Sequence, residues 1–272
     1  MLSPAWISPC LPTLVRQPPS GPDWLHEIKH DGYRCLCVVD RGAVRVFTRR
    51  GHDWTARFGG IVPALQRLKL RTAAIDGEAV IPDENGISDF FALHSALARR
   101  SAPNAVLMAF DLVHLNGEDL RGRMLEERRS RLAGAIGATS PWLRMSEAIE
   151  EDGERVLQAA GRMGLEGIVS KRRDSRYSSG RSKSWRKAKR TLVDHFGVLG
   201  IDRRRASLRL ARLVAGELVP CGHVGAGLTT PVMRRIAAAI DTRQAVVALV
   251  EYRGLTPAGE LRHPALKRWQ SG

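Results

Sequence analysis

The sequence lacks any apolar run approaching the roughly 20 residues that a helix needs to cross a bilayer, so we expect no membrane-spanning segment. Its first residues show neither a basic region nor an apolar core, which argues against a signal peptide. Four cysteines occur without a Cys-x-x-Cys pair, so a structural zinc site is not expected and a reducing cytosol fits the composition. No internal repeat is visible. Together these absences predict a cytoplasmic protein.

Acidic residues are scarce relative to basic ones. The chain has 28 Asp and Glu against 43 Lys and Arg, which gives a formal net charge of +15. This excess indicates a polyanionic partner, with nucleic acid the first candidate and an anionic membrane surface the second. The length of 272 residues and a hydrophobic content of 43% fit a soluble protein with one large or two modest domains.

One stretch, residues 27–34 (EIKHDGYR), combines a lysine with acidic neighbours, a turn and an arginine. The Asp-Gly pair is typical of a turn, so the lysine is predicted where a strand ends and a loop begins. A lysine acts as a nucleophile only when a desolvated pocket or nearby cations suppress its protonation. We interpret Lys29 as a candidate nucleophile. On this stretch alone, an exposed lysine beside a hairpin turn is the alternative.

Candidate phosphate and cation ligands follow Lys29 along the chain. Arg49 comes at the end of a predicted hairpin, and its guanidinium fork matches phosphate oxygens, although a solvated hairpin end is the equal alternative. Residues 73–81 are predicted to form a mostly apolar strand with Asp76 and Glu78 on one face. Two such carboxylates need hydrogen bonds or a cation, unless Asp-Gly merely marks a turn.

Further polar groups border two predicted apolar strands. Phe110 ends the strand predicted at residues 106–112, and it could stack on a base or fill the core. A short strand then carries a carboxylate, Glu166, at one end and an ammonium, Lys171, at the other.

The chain becomes strongly basic after residue 171. A strand predicted over residues 184–189 places Trp185, Lys187 and Lys189 on one side, which suits an anion site with an aromatic wall. A solvated basic face is the alternative.

The remaining pattern predicts the chain's organisation. Residues 1–23, rich in proline and polar residues, are predicted to form an extended arm rather than a domain. Helices are predicted at residues 61–69, 88–100 with Ser88 as N-cap, 126–136 and 150–163. Short strands follow at residues 197–202, 208–214, 218–224 and 245–252, interrupted by a helix from its N-cap Thr230 to Ile240. Four or five strands with one helix in about 80 residues suit a small OB-like barrel.

Taken together, residues 24–267 resemble the nucleotidyltransferase superfamily of ATP-dependent DNA ligases, and most closely the bacterial ligases associated with end joining. The resemblance implies an α+β fold. Residues 1–191 would form an adenylation (nucleotidyltransferase) domain with ATP-grasp-like antiparallel sheets and helices, and residues 192–272 an OB-fold β-barrel, with a hinge turn near residues 192–194. It also implies a monomer in the bacterial cytosol or nucleoid, acting in DNA repair and recombination.

The resemblance also implies a role for each candidate residue. Lys29 would be the adenylated lysine, and Arg49 would contact the 5′-phosphate of a nick. Mg²⁺ or Mn²⁺ would lie near Glu78 and Glu166, while Arg262 and Lys267 would orient pyrophosphate. The ATP or AMP contacts would come from Glu27, Arg34, Glu78, Phe110, Lys187 and Lys189.

The implied reaction is the sealing of nicked double-stranded DNA with ATP, through lysyl-AMP and adenylated DNA. The chain shows no separate N-terminal DNA-binding domain and no polymerase or nuclease domain. Either its basic surface is sufficient to hold a nick, or a DNA-end-binding protein is a further partner. The extra N-terminal domain and the cysteine zinc motifs of NAD-dependent ligases are not seen here, which favours ATP. The alternatives are an RNA ligase or mRNA-capping relative, and a non-catalytic basic module that binds DNA.

Overall fold

The computed structural model of the chain describes residues 6–137, 140–256 and 258–272. Its contacts divide it into two compact units, Met1–Lys189 and Arg190–Gly272. Each unit is described separately below. In the described part of the chain, no helix combines the length and the apolar character needed to span a membrane.

Short strands dominate both units and helices separate some of them. The strands are β1 (Cys10–Val15), β2 (Trp24–Ile28), β3 (Tyr33–Asp40), β4 (Ala43–Thr48), β5 (Thr72–Val80), β6 (Val106–Leu115), β7 (Glu118–Asp119), β8 (Leu143–Met145), β9 (Gly167–Arg172), β10 (Gly180–Lys189), β11 (Leu192–Asp202), β12 (Ser207–Val214), β13 (Glu217–Val224), β14 (Val246–Tyr252) and β15 (Ala265–Ser271). The α-helices are α1 (Ile61–Gln66), α2 (Phe90–Ala98), α3 (Leu125–Ile136), α4 (Gly153–Arg162) and α5 (Thr230–Asp241).

The first unit contains two sheets. One has the strand order β1-β10-β9-β2, and the other has the order β4-β3-β5-β6-β7 with β8 beside β6. Most pairs are antiparallel, but β1 lies parallel to β10 and β8 parallel to β6. Apart from these two parallel pairs, the strand pairing of this unit is antiparallel, as the resemblance implied.

Strand β3 shows how the two sheets share a core. Cys35 and Cys37 alternate within an apolar run, a pattern typical of core strand positions, and both are fully buried in one hydrophobic cluster with the helices. Leu36 and Val38 point to the other face and join a second cluster, which also contains Trp185 of β10. Because apolar side chains cover both of its faces, β3 is a central strand between the helical layer and the second sheet.

The N-terminal arm is a structural element of the first unit. Within residues 1–23, β1 pairs with β10 from Cys10 opposite Gly180 to Val15 opposite Ala188. Cys10 is completely buried. Residues 1–5 of the predicted arm lie outside the described residues. The proline and polar residues of this segment did not indicate a strand. The partner that β1 pairs with lies more than 150 residues away in sequence.

Helix boundaries differ slightly from those predicted. Helix α1 ends at Gln66, shorter than residues 61–69. The N-cap of α2 is Asp89 rather than Ser88, and its carboxylate accepts a hydrogen bond from the backbone N–H of Ala92 at 2.9 Å. The N-cap of α5 is Thr229 rather than Thr230. In both caps the neighbouring residue also has a capping side chain, so composition alone could not choose between them.

The second unit is an antiparallel sheet with the order β13-β12-β11-β14-β15. Helix α5 connects β13 to β14, and buries Ile236 and Ala239 in the core of this unit. Strand β15, in the basic tail, was not predicted. Residues 192–194, predicted to form a hinge turn, instead begin β11, with Leu192 opposite Tyr252 of β14.

A buried ion pair connects α3 to β6. The side chains of Arg128 and Asp111 are fully buried, and the guanidinium donates to both carboxylate oxygens at 2.7 and 2.8 Å. Its remaining N–H groups donate to the backbone carbonyls of Arg123 and Ser175. Burial raises the pKa of Asp111, while Arg128 opposes that effect. This network fixes α3 against the sheet.

We expect Arg128→Leu to lower the free energy of unfolding by about 3–5 kcal/mol, because it leaves a buried carboxylate without a counter-charge. Arg131→Leu is the matched control on the same helix, since Arg131 pairs with Glu118 and Glu127 in contact with solvent and its loss should matter far less. Denaturant unfolding of both variants measures the difference. Equal losses would show that the buried pair has no special role.

Candidate functional site

A cavity of about 240 Å³ opens in the first unit. Strands of both sheets contribute to its wall, together with the loop after β2 and the turn after β4. The lining residues are Leu11, Pro12, Glu27, Ile28, Lys29, His30, Arg34, Arg49, Glu78, Phe110, Val169, Lys171, Arg181, Trp185 and Lys187. The fold thus brings residues from seven separate segments of sequence to one place.

Lys29 stands at the first residue after β2, as the Asp-Gly turn predicted. Its backbone N–H donates to the carbonyl of Gly167 at 2.9 Å, which holds the loop against β9. Its ammonium contacts one oxygen of Glu166, whose other oxygen lies 2.5 Å from the ammonium of Lys189. Burial alone would raise the pKa of Glu166, but the two lysines lower it below its usual value. The carboxylate is therefore held as an anion between two cations.

Gly32 allows the Lys29 loop to lie against β5. A Cβ built at this position would lie 2.1 Å from the backbone oxygen of Ala79 and 2.9 Å from a methyl of Val80. No side chain fits there without moving the backbone. The glycine of the Asp-Gly pair is therefore required by close packing.

The two carboxylates of β5 have different environments. Asp76 is fully buried and accepts two hydrogen bonds from Arg34, both at 2.6 Å, and one from the hydroxyl of Tyr177 at 2.5 Å. Glu78 lies at the cavity wall, where burial raises its pKa to about 7 although Arg34 and Lys29 act in the opposite direction. Only Glu78 of this pair is therefore available to a ligand or cation in the cavity.

Glu27 is held by two cations that were not predicted as site residues. Lys171 donates to both of its oxygens at 2.8 and 2.9 Å, and Arg129 of α3 donates at 2.6 Å. Burial lowers the pKa of Lys171, while Glu27 opposes the shift. The sequence marked Lys171 only as the end of a strand. No sequence signal distinguished Arg129, because its partners come from distant segments.

Aromatic rings and cations form one wall of the cavity. Phe110 and Trp185 meet edge to face, with centroids 6.1 Å apart. The ammonium of Lys171 lies 4.2 Å from each ring centroid, and the guanidinium of Arg34 lies 4.4 Å from that of Phe110. Phe110 therefore lines the cavity with two cations packed against its ring. Its stacking on the base of a nucleotide remains a prediction.

Three basic side chains face the cavity or its rim without an ion-pair partner in the described part of the chain: Arg49, Arg181 and Lys187. Burial lowers the pKa of Lys187, and the nearby charges of Lys189 and Lys29 lower it further. Arg181 was not predicted. Unpaired cations beside a cavity are suited to an anionic ligand with several charges.

Two predicted residues lie in the second unit. Lys267 of β15 pairs with Glu251 of β14 at 3.0 Å, and the backbone N–H of Arg262 donates to the carbonyl of Gly254. Their assignment to pyrophosphate remains a prediction.

The predicted metal ligands both lie near Lys29. Glu78 lines the same cavity, and Glu166 contacts the Lys29 ammonium. Within residues 6–137, 140–256 and 258–272, no group of three or more His, Cys, Asp or Glu side chains forms a protein-only metal cage. Two carboxylates nevertheless fit Mg²⁺, which commonly takes one or two of them together with substrate phosphates and water.

The two-sheet unit and its lysine-bearing cavity define a nucleotidyltransferase-type ligase fold. The solved ligase domain of Mycobacterium tuberculosis LigD matches it with a TM-score of 0.61 and 30% identity, over 97% of this chain and 94% of that one. The family described as "ATP dependent DNA ligase domain" matches residues 14–189. The chain therefore belongs to the ATP-dependent DNA ligase family.

Curated relatives agree with this family. The multifunctional non-homologous end joining protein LigD of Pseudomonas aeruginosa is 40% identical over 243 residues, which are 86% of this chain and 29% of that protein. The LigD of M. tuberculosis is 33% identical over 271 residues, covering 88% of this chain and 35% of the relative. The chain thus spans about a third of the length of these relatives.

We expect Gly32→Ala to lower the free energy of unfolding by about 1–3 kcal/mol, because the added methyl collides with the backbone of β5. Gly122→Ala is the matched control, since no atom lies within 4 Å of a Cβ built there. Thermal unfolding of the two variants makes the comparison. A Gly32→Ala protein as stable as the control would contradict the packing described for this loop.

Proposed function

We propose that the chain is an ATP-dependent DNA ligase that seals 5′-phosphate/3′-hydroxyl nicks in DNA repair and recombination. The observation that carries the proposal is the arrangement of Lys29, Glu166 and Lys189 beside a cavity with unpaired cations. The family supports the same reaction. A structure of mycobacterial DNA ligase D, similar in fold to this chain, has been solved in complex with ATP and MES.

The proposed reaction has three steps. The amine of Lys29 attacks the α-phosphorus of ATP, forming a phosphoramidate bond and releasing pyrophosphate. The AMP then passes to the 5′-phosphate of a nick, and the 3′-hydroxyl attacks that phosphate and releases AMP. Before the first step the ammonium must lose a proton, and the carboxylate of Glu166 contacts it directly. Glu166 thus orients the nucleophile.

The cations of the cavity would bind the nucleotide. Lys187 and Lys189 are assigned to the phosphates, and their charges would stabilise the negative charge that builds up on phosphorus oxygens. Glu27 and Arg34 would flank the nucleoside, with Phe110 against the base. Except for Lys187, these side chains are already held by neighbours, so the site is largely preorganised.

Glu78 and Glu166 are proposed to hold Mg²⁺ or Mn²⁺. The bound metal would neutralise phosphate charge.

The second unit is proposed to be an OB-fold domain, and residues 1–191 and 192–272 the two functional domains. Five antiparallel strands with α5 between the third and fourth support this assignment. An isolated parallel bridge also connects Ala226, two residues after edge strand β13, with Ala265 at the start of edge strand β15, an arrangement compatible with a closed barrel. On this domain Arg262 and Lys267 would orient pyrophosphate.

Nicked duplex DNA is the proposed partner, bound by a monomer through its basic surface, with a DNA-end-binding protein as a second partner. The net charge of +15 favours phosphate contacts that weaken as salt rises. The bacterial cytosol or nucleoid is the proposed location.

We expect the protein to acquire covalent label from α-labelled ATP and a divalent metal without DNA. Lys29→Ala should abolish the label, because the other amine against Glu166, that of Lys189, does not line the cavity. Lys183→Ala, at an exposed lysine of β10, should keep the label. Denaturing gels measure the label, with labelled GTP and NAD as controls. Label that survives Lys29→Ala, or comes from GTP, would reject the proposal. Nicked DNA bound without any label would indicate a non-catalytic module.

Arg49→Ala should retain labelling by ATP but slow AMP transfer to a nicked duplex by about 100-fold, since it removes a cation from the acceptor phosphate. Arg50→Ala is the adjacent control, as Arg50 is exposed and does not line the cavity. Rapid-quench assays with pre-adenylated protein follow the transfer. Equal rates for the two variants would contradict the assignment of Arg49.

A further inference from the structure

Trp6 lies on the N-terminal arm, ahead of β1, with 38% of its surface exposed. Its indole covers Gly51: a Cβ built on that glycine would lie 3.3 Å from both Cδ2 and Cε2 of the ring. Gly51 has φ of +84°, in the left-handed region that other residues rarely adopt. Gly51, which follows Arg49 and Arg50, therefore presents only backbone atoms, and the indole packs against them.

Gly51 belongs to a closed turn after β4. Its N–H donates to the carbonyl of Thr48 at 2.9 Å, and the N–H of Thr48 donates to the carbonyl of His52 at 2.9 Å. The hydroxyl of Thr48 accepts a further hydrogen bond from His52. This turn carries Arg49, whose side chain reaches the cavity.

Arg49 has few other constraints. Its guanidinium forms no hydrogen bond or ion pair with the described residues, so the backbone of the turn determines where it can reach. A residue that fixes this backbone consequently fixes the range of the guanidinium. Trp6 is the side chain that packs on it from outside the β3–β4 hairpin.

The arm that carries Trp6 is anchored independently of the indole. The hydroxyl of Ser179 donates to the carbonyl of Ser8 at 2.7 Å, and the N–H of Gly180 donates to the carbonyl of Pro9 at 3.0 Å. Strand β1 then continues along β10. Removing the indole should therefore take away the packing against the turn while leaving the arm in place.

We propose that Trp6 is a positioning residue for the transfer of AMP to DNA. Its indole holds the Arg49 turn so that the guanidinium meets the 5′-phosphate of the nick. This inference rests on the proposed ligase function and on the assignment of Arg49. It concerns the second step only, because Lys29 and its partners belong to other segments.

The test is a double-mutant cycle in single-turnover assays, with the whole chain purified in its adenylated form and mixed with saturating nicked duplex. We expect Trp6→Ala to slow AMP transfer by roughly ten- to a hundredfold, as a displaced contact group does. Trp6→Phe should restore most of the rate, because a phenyl ring can cover Gly51. Arg49→Ala should be slow, and Trp6→Ala/Arg49→Ala no slower, since the indole acts through the guanidinium. Arg50→Ala serves as the unaffected control.

The outcomes separate this inference from the function beneath it. A wild-type protein that forms no lysyl-AMP would reject the ligase proposal itself. Normal adenylation with wild-type transfer in Trp6→Ala would reject only the role of Trp6. A further loss from Trp6→Ala in the Arg49→Ala background would also reject it, because Trp6 would then contact DNA by itself. Adenylation and transfer slowed equally in Trp6→Ala would indicate a general structural role, and would likewise overturn the proposal.

Discussion

The buried pair of Arg34 and Asp76 is the interaction on which the first unit depends. Asp76 has no access to solvent, and its carboxylate is stabilised by the fork of Arg34 and the hydroxyl of Tyr177. Arg34 also donates to the carbonyl of Cys10, while the N–H of Cys10 donates to the Tyr177 hydroxyl. One charged pair therefore connects β3 and β5 with the N-terminal strand. Removing either partner would leave a buried charge at a cost of about 3–5 kcal/mol.

The cavity contains two kinds of cationic side chain: those with an ion-pair partner, and those without one among the described residues. Glu27 and Glu166 each hold two cationic side chains in defined positions. The paired groups keep their positions in the site, because separating them would leave a buried charge without a partner and would cost free energy. The unpaired ones, such as Lys187, leave cationic groups for the phosphates of the proposed nucleotide. Lys29, Lys189 and Glu166 are paired with one another and are also assigned to the proposed reaction, so ion pairing and proposed function overlap in this pocket.

Local chemistry predicted much of the fold correctly. The β3–β4 hairpin, the strand with Asp76 and Glu78, and the core positions of Cys35 and Cys37 follow from alternation and turn residues, which act over a few positions. The failures have more than one cause. Strand β1 and its parallel pairing with β10 depend on a partner distant in sequence, and no local preference encodes such a partner. The caps of α2 and α5 were misplaced by one residue because adjacent residues could both cap.

The same division holds for the candidate site. Sequence alone determined the family's motif residues, the excess of positive charge and the lysine before an Asp-Gly turn, because those depend on residue type and short spacing. Only the tertiary structure decided that the carboxylate of Asp76 pairs with Arg34 whereas that of Glu78 faces the cavity, although both residues lie on one strand. It also decided that Lys171 and Arg129 hold Glu27, and that Trp6 covers Gly51. These are contacts between segments far apart in the chain, and packing in three dimensions creates them.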